Sequence, residues 1–168
     1  FVSLDIEDGI AFVTINNPPV NALGQVVRQG IDEGVKMATD DAVVSVIVII
    51  GEGRTFPAGA DITEFGKPPK EPFLPELCQS IEDCPKPVIA ALHGTALGGG
   101  FEIALSAHYR IALDTAKVGL PEVNLGILPG AGGTQRTPRI TGAAPALDLM
   151  LSGKPIAAAK GRDLGLID

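Results

Sequence analysis

The sequence has little positive charge and no long apolar run. Its 13 lysine and arginine residues are outnumbered by 20 aspartate and glutamate residues, which gives a net charge of −7 at pH 7. Nucleic acids and anionic membranes attract basic protein surfaces, so we expect neither as a partner. No stretch approaches the roughly 18 apolar residues of a membrane-spanning helix. No basic segment followed by an apolar one opens the chain, as a secretory signal would require.

Cysteine is also scarce. The two cysteines, Cys78 and Cys84, are six residues apart, and this spacing fits neither C-x-x-C nor a zinc-binding pattern. It is typical of reduced thiols in a reducing compartment. The sequence therefore predicts an intracellular protein that has neither a structural disulfide nor a metal site.

Several well-known catalytic motifs are missing. Gly51-Glu52-Gly53 does not extend to the dinucleotide-binding G-x-G-x-x-G, and Gly153-Lys154 is followed by proline rather than the Ser or Thr of a phosphate-binding loop. Neither G-x-S-x-G nor H-E-x-x-H occurs. His93 and His108 lie in strand-like and helix-end segments, which favours hydrogen-bonded structural roles. A nucleophile–histidine mechanism therefore has little support.

The composition is that of an ordinary globular chain. Hydrophobic residues make up 45% and charged residues 20% of the 168 positions, enough for one domain with a core. The chain begins at Phe1 without a methionine and ends at Asp168 directly after apolar residues. We therefore expect residues 1–168 to be a single core unit that is part of a longer chain.

Hydrophobic periodicity predicts an α/β fold in which strands and helices alternate. Two β-rich runs around Asp8-Gly9 predict a hairpin, and the β-branched run Val43–Ile50 predicts a strand buried on both faces. The predicted strands cover 1–7, 10–16, 43–50, 88–93, 109–113 and 117–119, and the predicted helices 23–39, 71–83, 99–106, 143–151 and 157–164.

Three stretches combine small residues with acidic ones: Phe56–Ile62, Gly98–Glu102 and Gly119–Arg136. Small residues after a strand let a ligand approach the main chain closely. The N–H groups at a helix start have no intrahelical partner and favour negative charge. Two such donors could stabilise a developing oxyanion, whereas the simpler alternative is that the glycines serve tight packing and turns.

Glu102 and Glu122 each stand among apolar residues. Glu102 could simply cap nearby N–H groups at a helix start, and a single buried glutamate is most often structural. Two desolvated glutamates beside glycine-rich turns instead favour paired acid/base chemistry, because burial raises a carboxyl pKa toward neutrality.

Four segments together resemble one family. NPPVNAL (17–23), AGADI (58–62), ALGGGFE (96–102) and GLPEVNLGILPGAGGTQR (119–136) are similar to the crotonase, or enoyl-CoA hydratase/isomerase, superfamily, and most of all to the hydratase part of multifunctional enzymes that also carry a 3-hydroxyacyl-CoA dehydrogenase. The resemblance implies a spiral superhelix of ββα turns whose C-terminal helical part is cut short here. It also implies hydration of trans-2-enoyl-CoA thioesters in fatty-acid β-oxidation, with enoyl-CoA isomerisation as a second activity.

The resemblance also assigns roles. The N–H groups of Ala60 and Gly99 would form the oxyanion hole. Glu102 would hold and activate water, Glu122 would deliver a proton to C2, and the backbone at Gly130 would contact the water. The segments implied to bind CoA contain Val20, Ala22, Leu23, Arg54, Ala58, Ala60, Asp61 and Ile62.

The remaining implications concern partners and location. No cofactor is required, and coenzyme A enters as the carrier of the substrate. The parent protein would form a homo-oligomer or be fused to a dehydrogenase. It would be cytoplasmic in a bacterium, and peroxisomal or mitochondrial in a eukaryote. Two alternatives stay open: another crotonase-type reaction of an acyl-CoA, or a non-catalytic module that binds acyl-CoA.

Overall fold

The computed structural model describes all 168 residues, arranged as eight strands and six helices. The strands are β1 (Val2–Glu7), β2 (Ile10–Ile15), β3 (Val46–Gly51), β4 (Val88–Leu92), β5 (Thr95–Leu97), β6 (Tyr109–Ala112), β7 (Lys117–Gly119) and β8 (Ile156–Ala157). The helices are α1 (Gln25–Asp40), α2 (Leu74–Glu82), α3 (Gly99–Ser106), α4 (Gly133–Thr141), α5 (Ala143–Ser152) and α6 (Ala158–Asp163), and short 3-10 turns cover Ile62–Glu64 and Glu122–Leu125. No helix has both the length and the apolar character that crossing a membrane would require.

The strands form a large and a small sheet. The large sheet has the order β1-β2-β3-β4-β6, with β1 antiparallel to β2 and all other neighbours parallel. Asp8 and Gly9 connect β1 and β2 with φ angles of +50° and +79°. Positive φ at both turn residues is what a tight two-residue hairpin needs, so the predicted hairpin is confirmed.

The core lies between the large sheet and the helices. Helix α1 buries Val27, Ile31, Val35 and Ala38, whose spacing of three and four residues places them on one face. Helix α3 is buried on all sides, from Gly99 to Ser106. An eight-residue helix without an exposed face is held by its surroundings rather than by its own propensity. The start of α3 is therefore fixed relative to the elements around it.

The small sheet places the acidic segments next to each other. Strands β5 and β7 are parallel, with Leu97 opposite Gly119, and the Gly98 N–H donates to the Gly119 carbonyl over 3.0 Å. The chain leaves β5 directly into α3, which carries Glu102, and leaves β7 into the turn that carries Glu122. Parallel strands end at the same edge of a sheet, and here that edge brings the two glutamate-bearing segments together.

The structure corrects two predictions from the sequence and adds two elements that were not predicted. Strand β3 buries one face only, because its residues alternate between buried and half-buried along the strand. Strand β5 and helix α4 were not predicted, since β5 is a short segment directly before the Gly98–Gly100 triplet and α4 contains glycine, threonine and an internal Pro138. Residue 157, the first of the last predicted helix (157–164), instead belongs to β8, which pairs with β7.

Each glycine of the Gly98–Gly100 triplet has its own geometric reason. Gly98 adopts φ +52° and ψ −129°, a conformation that disfavours any side chain. A β-carbon on Gly99 would lie 2.7 Å from the Leu74 side chain, and one on Gly100 would overlap the Pro57 carbonyl oxygen. Backbone conformation therefore requires the glycine at 98 and close backbone packing requires the one at 100, whereas a side chain at 99 would displace Leu74.

We predict that Gly100→Ala lowers the free energy of unfolding by about 2 kcal/mol, because the added methyl must displace the rigid backbone at Pro57. Urea denaturation measures the change. Gly130→Ala is the control, since the nearest atom to its added methyl is 3.8 Å away. Equal stabilities of the two variants would contradict the packing explanation.

Candidate active site

An apolar cavity of about 400 Å³ lies where the predicted site segments converge. Its only ionisable lining side chains are Glu102 and Glu122. The lining residues come from four parts of the chain: Ala58, Gly59, Ala60, Ile62 and Phe65; Leu74 and Pro75; Gly98, Gly99 and Glu102; and Pro121, Glu122, Leu125, Ile127, Leu128, Gly130 and Ala131. A mainly apolar pocket with a few convergent polar groups is the usual form of a small-molecule site.

Glu102 is fixed by the turn before α4. It is 2% exposed, and its Oε1 accepts hydrogen bonds from the N–H groups of Ala131 at 2.7 Å and Gly133 at 2.8 Å. Its Oε2 accepts none from the protein. Burial raises the pKa of Glu102, and the two N–H donors and the nearby Arg136 charge oppose that rise. Oε1 is thus occupied by two backbone hydrogen bonds, while Oε2 is available to a ligand.

The carboxyl group of Glu122 is held by fewer hydrogen bonds than that of Glu102. It is 8% exposed, and its Oε2 is buried without any hydrogen-bond partner. Burial raises its pKa to about 7, with a smaller rise from the charge of Glu102, opposed by its own backbone N–H. Its Oε1 would lie 3.1 Å from a β-carbon on Gly98, so the glycine lets this carboxyl group approach the start of α3.

The N–H groups of Ala60 and Gly99 donate to no protein acceptor. Residues 59 and 60 run beside Leu23, whose N–H donates to the Gly59 carbonyl, so the N–H of Ala60 points the other way. Gly99 opens α3, where an N–H has no intrahelical acceptor. The Ala60 nitrogen lies 3.8 Å from the position of a β-carbon on Gly99. Two unpaired donors therefore meet at one wall of the cavity.

The segments expected to bind CoA lie side by side. Besides the Leu23–Gly59 hydrogen bond, the Ala58 N–H donates to the Val20 carbonyl over 3.1 Å. Of the eight residues, Ala58, Ala60 and Ile62 line the cavity, whereas Val20, Ala22, Leu23, Arg54 and Asp61 do not.

Several of these eight side chains are buried or hydrogen-bonded within the protein itself. Leu23 is fully buried, and Asp61 accepts the Thr63 N–H over 2.9 Å. Hydrogen bonding, first to the Thr63 side chain and second to its backbone, lowers the pKa of Asp61. Arg54 donates to the Pro19 carbonyl over 3.0 Å. Lys67 and Lys70, by contrast, border a second depression that also contains Asp61.

The sequence did not identify the two N–H donors to Glu102. Ala131 and Gly133 lie within the quoted glycine-rich motif, but helix α4 was not predicted, so nothing showed that a helix start faces Glu102. Gly130 does line the cavity next to this turn. Both histidines have the expected structural partners, since His93 contacts the Gly53 carbonyl and the His108 ring accepts the Val88 N–H.

Comparison with known proteins identifies the family. Residues 5–168 match the enoyl-CoA hydratase/isomerase family. The chain belongs to this family. A "Probable enoyl-CoA hydratase" of Bacillus subtilis is 48% identical over 173 residues, covering 99% of this chain and 67% of the relative. A "Peroxisomal bifunctional enzyme" of Danio rerio is 49% identical over 163 residues, covering 97% of this chain but 23% of the relative.

Solved structures of the enoyl-CoA hydratase/isomerase family share the fold. The crystal structure of an enoyl-CoA hydratase from Bacillus anthracis superposes with a TM-score of 0.92 at 33% identity, covering 99% of this chain and 68% of that one. The predicted crotonase-type α/β fold is therefore confirmed. No group of three or more His, Cys, Asp or Glu side chains is placed to bind a metal ion.

We predict that Glu122 makes the stability of this family member depend on pH. Its pKa is raised from 4.5 to about 7 in the folded protein, so the folded state holds this proton more tightly than the unfolded state does. The wild-type protein should lose stability relative to Glu122→Gln as the pH rises from 4.5 to about 7.

Urea denaturation at pH 4.5 and pH 8 measures this difference. Glu76→Gln, on the exposed side of α2, is the matched control and should show no such divergence. A constant stability difference between Glu122→Gln and the wild type would contradict the shifted pKa.

Proposed function

We propose that residues 1–168 form the catalytic core of an enoyl-CoA hydratase, which adds water across the C2=C3 bond of trans-2-enoyl-CoA thioesters. The observation that carries the proposal is the meeting of four groups at one apolar cavity. Two buried glutamates lie on it, and the unpaired N–H groups of Ala60 and Gly99 lie on its wall. Thioester hydration requires donors for a developing oxyanion and groups that move protons.

The two N–H groups would bind the thioester carbonyl oxygen. Attack of water at C3 places negative charge on this oxygen, and fixed donors stabilise the transition state more than the ground state. Ala60 and Gly99 suit this task because no protein acceptor competes for their N–H groups. Removing one such donor typically costs about 10²–10³ in rate.

The two glutamates would divide the proton transfers. The Oε2 of Glu102 has no protein partner, so it can accept a proton from the attacking water as the C3–O bond forms. Glu122, with a pKa of about 7, is partly protonated at neutral pH and can donate its proton to C2. The C2=C3 electron pair forms the new C2–H bond, and proton exchange with solvent restores both glutamates. The Gly130 backbone beside Glu102 would contact the water.

The substrate would enter with its acyl chain against the apolar wall. Ile62, Phe65, Leu125 and Leu128 are 50–77% exposed at the cavity, which suits an aliphatic chain better than water. The CoA portion would run along residues 20–23 and 58–62, with Arg54, Lys67 or Lys70 contacting phosphate. Coenzyme A would serve as the substrate carrier, and no cofactor would be needed.

The setting of this core would be fatty-acid β-oxidation. A multifunctional protein of Arabidopsis thaliana whose name states that process is 44% identical over 169 residues. This chain would accordingly be one unit of a longer protein, either oligomeric or fused to a 3-hydroxyacyl-CoA dehydrogenase. Its compartment would follow the host, cytoplasmic in bacteria and peroxisomal or mitochondrial in eukaryotes.

Enoyl-CoA isomerisation is the second candidate activity. The partnerless Oε2 and the pKa of about 7 suit Glu122 to take a proton from one carbon and return it to another. This reaction needs no bound water, so it needs Glu122 and the N–H pair but not the free oxygen of Glu102. The two activities therefore differ in their dependence on Glu102.

We predict that Glu102→Gln and Glu122→Gln each lower crotonyl-CoA hydration by about 10²–10⁴-fold, the usual contribution of a general acid or base. The assay follows the loss of enone absorbance, and Glu76→Gln, on the exposed side of α2, is the control. Isomerisation of a 3-enoyl-CoA should persist in Glu102→Gln and disappear in Glu122→Gln.

Rates like the wild type in either glutamine variant would refute the two-glutamate mechanism. A wild-type protein that binds crotonyl-CoA but converts neither substrate would instead indicate a non-catalytic acyl-CoA-binding module.

A further inference from the structure

Arg136 connects three elements around the cavity, although its own side chain does not line the cavity. On helix α4, its Nη1 donates to the Ala131 carbonyl over 3.0 Å, and its Nη2 pairs with Glu82 at the end of α2 over 2.6 Å. The next link is the Ala131 N–H, which donates to Glu102. Hydrogen bonds on both sides of Ala131 thus connect α2, through Arg136 and the Ala131 backbone, to the buried carboxylate on α3.

The chain is shaped around this guanidinium. Gly132 adopts φ +103°, and a β-carbon there would overlap Nη1 of Arg136. The side chain is only 12% exposed, yet its Nε is buried without a hydrogen-bond partner. Burying a donor without a partner lowers the free energy of unfolding. A contribution to stability therefore does not by itself explain why the Arg136 guanidinium is buried here.

We propose that Arg136 is a positioning residue, which holds the 130–133 turn so that Ala131 and Gly133 fix Glu102 with Oε2 free for water. This inference rests on the proposed hydration. Arg136 does not line the cavity, so it would act through the turn and not on the substrate.

The positive charge of Arg136 also acts on Glu102. It lowers the pKa of Glu102, against burial, which raises it. The other titratable groups facing this region are Glu122, Glu82 and the Cys78 thiol of α2, whose pKa burial raises to about 12. Cys78 is therefore uncharged at neutral pH, and Arg136 is the one positive charge in this set, which acts with the Gly133 and Ala131 N–H groups against the effect of burial on the pKa of Glu102.

The test compares Arg136→Met with Arg136→Lys in the full-length protein. Arg136→Met should lower kcat about 10- to 100-fold, as expected for loss of a charged hydrogen bond, with KM nearly unchanged. Its acidic limb of kcat against pH should move to higher pH, because Glu102 must be ionised to accept a proton. Arg136→Lys keeps the charge but not the paired geometry, so its kcat should fall while the limb stays in place.

Two further variants separate positioning from folding. Arg139→Met is the control, since Arg139 is exposed and bonds only to Gln135 within α4. Glu82→Gln keeps the contact between Arg136 and the turn but weakens the link to α2, so its kcat should fall less than that of Arg136→Met. An Arg136→Met variant with the kcat and acidic limb of Arg139→Met would overturn the proposal.

A titration of ¹³C-labelled glutamate by NMR tests the same idea without turnover. The Glu102 carboxyl resonance should titrate at higher pH in Arg136→Met than in the wild type, and an unchanged midpoint would refute the role of Arg136. Because this readout needs no substrate, it would still decide the role of Arg136 if the wild-type protein failed to hydrate crotonyl-CoA.

Discussion

The geometry of the site depends on one carboxylate oxygen, Oε1 of Glu102, which accepts two backbone N–H groups at 2.7 and 2.8 Å. The donors are about 30 residues away along the chain, at the start of α4. This oxygen therefore connects α3 to a helix that is distant in the sequence. Burying a carboxylate is costly, and charge-assisted hydrogen bonds offset that cost only when their geometry is good. The position of Glu102 and the path of the 130–133 turn therefore determine each other.

The second glutamate shows what happens without two donors from another element of the fold. Glu102 and Glu122 border the same cavity, but Glu122 has a buried oxygen with no partner and a pKa of about 7. The two N–H groups and Arg136 oppose the effect of burial on Glu102. Environments that separate two carboxyl groups in this way typically allow one to act as base and the other as acid. The roles proposed for the two residues follow from their donors, since their side chains are identical.

The sequence predicted the residues of the site better than the elements that hold them together. The hairpin, α1 and the buried strands carry local patterns that are strong in single elements. By resemblance, the motifs also indicated both glutamates and the residues Ala60 and Gly99, whose N–H groups have no protein acceptor. Strand β5 and helix α4 carry no such pattern, because β5 is a short segment that runs directly into a glycine triplet and Pro138 lowers the helix propensity of α4. Yet β5 pairs with β7 to bring the glutamates together, and α4 supplies the donors to Glu102. Tertiary contacts, which a single sequence does not display, determine both elements.

Two classes of wall residue surround the cavity. Gly98 has a backbone conformation that disfavours any side chain, and Glu102 accepts two backbone N–H groups. Adding a side chain at Gly98 or removing the acceptor at Glu102 therefore alters the fold and the site together. The apolar side chains of Ile62 and Leu128 are 69% and 77% exposed, and such positions contribute little to the free energy of unfolding. Substitutions at the second class can reshape the cavity without disturbing the groups that would perform the chemistry. The fold thus separates the residues that would determine the reaction from those that would select the acyl chain.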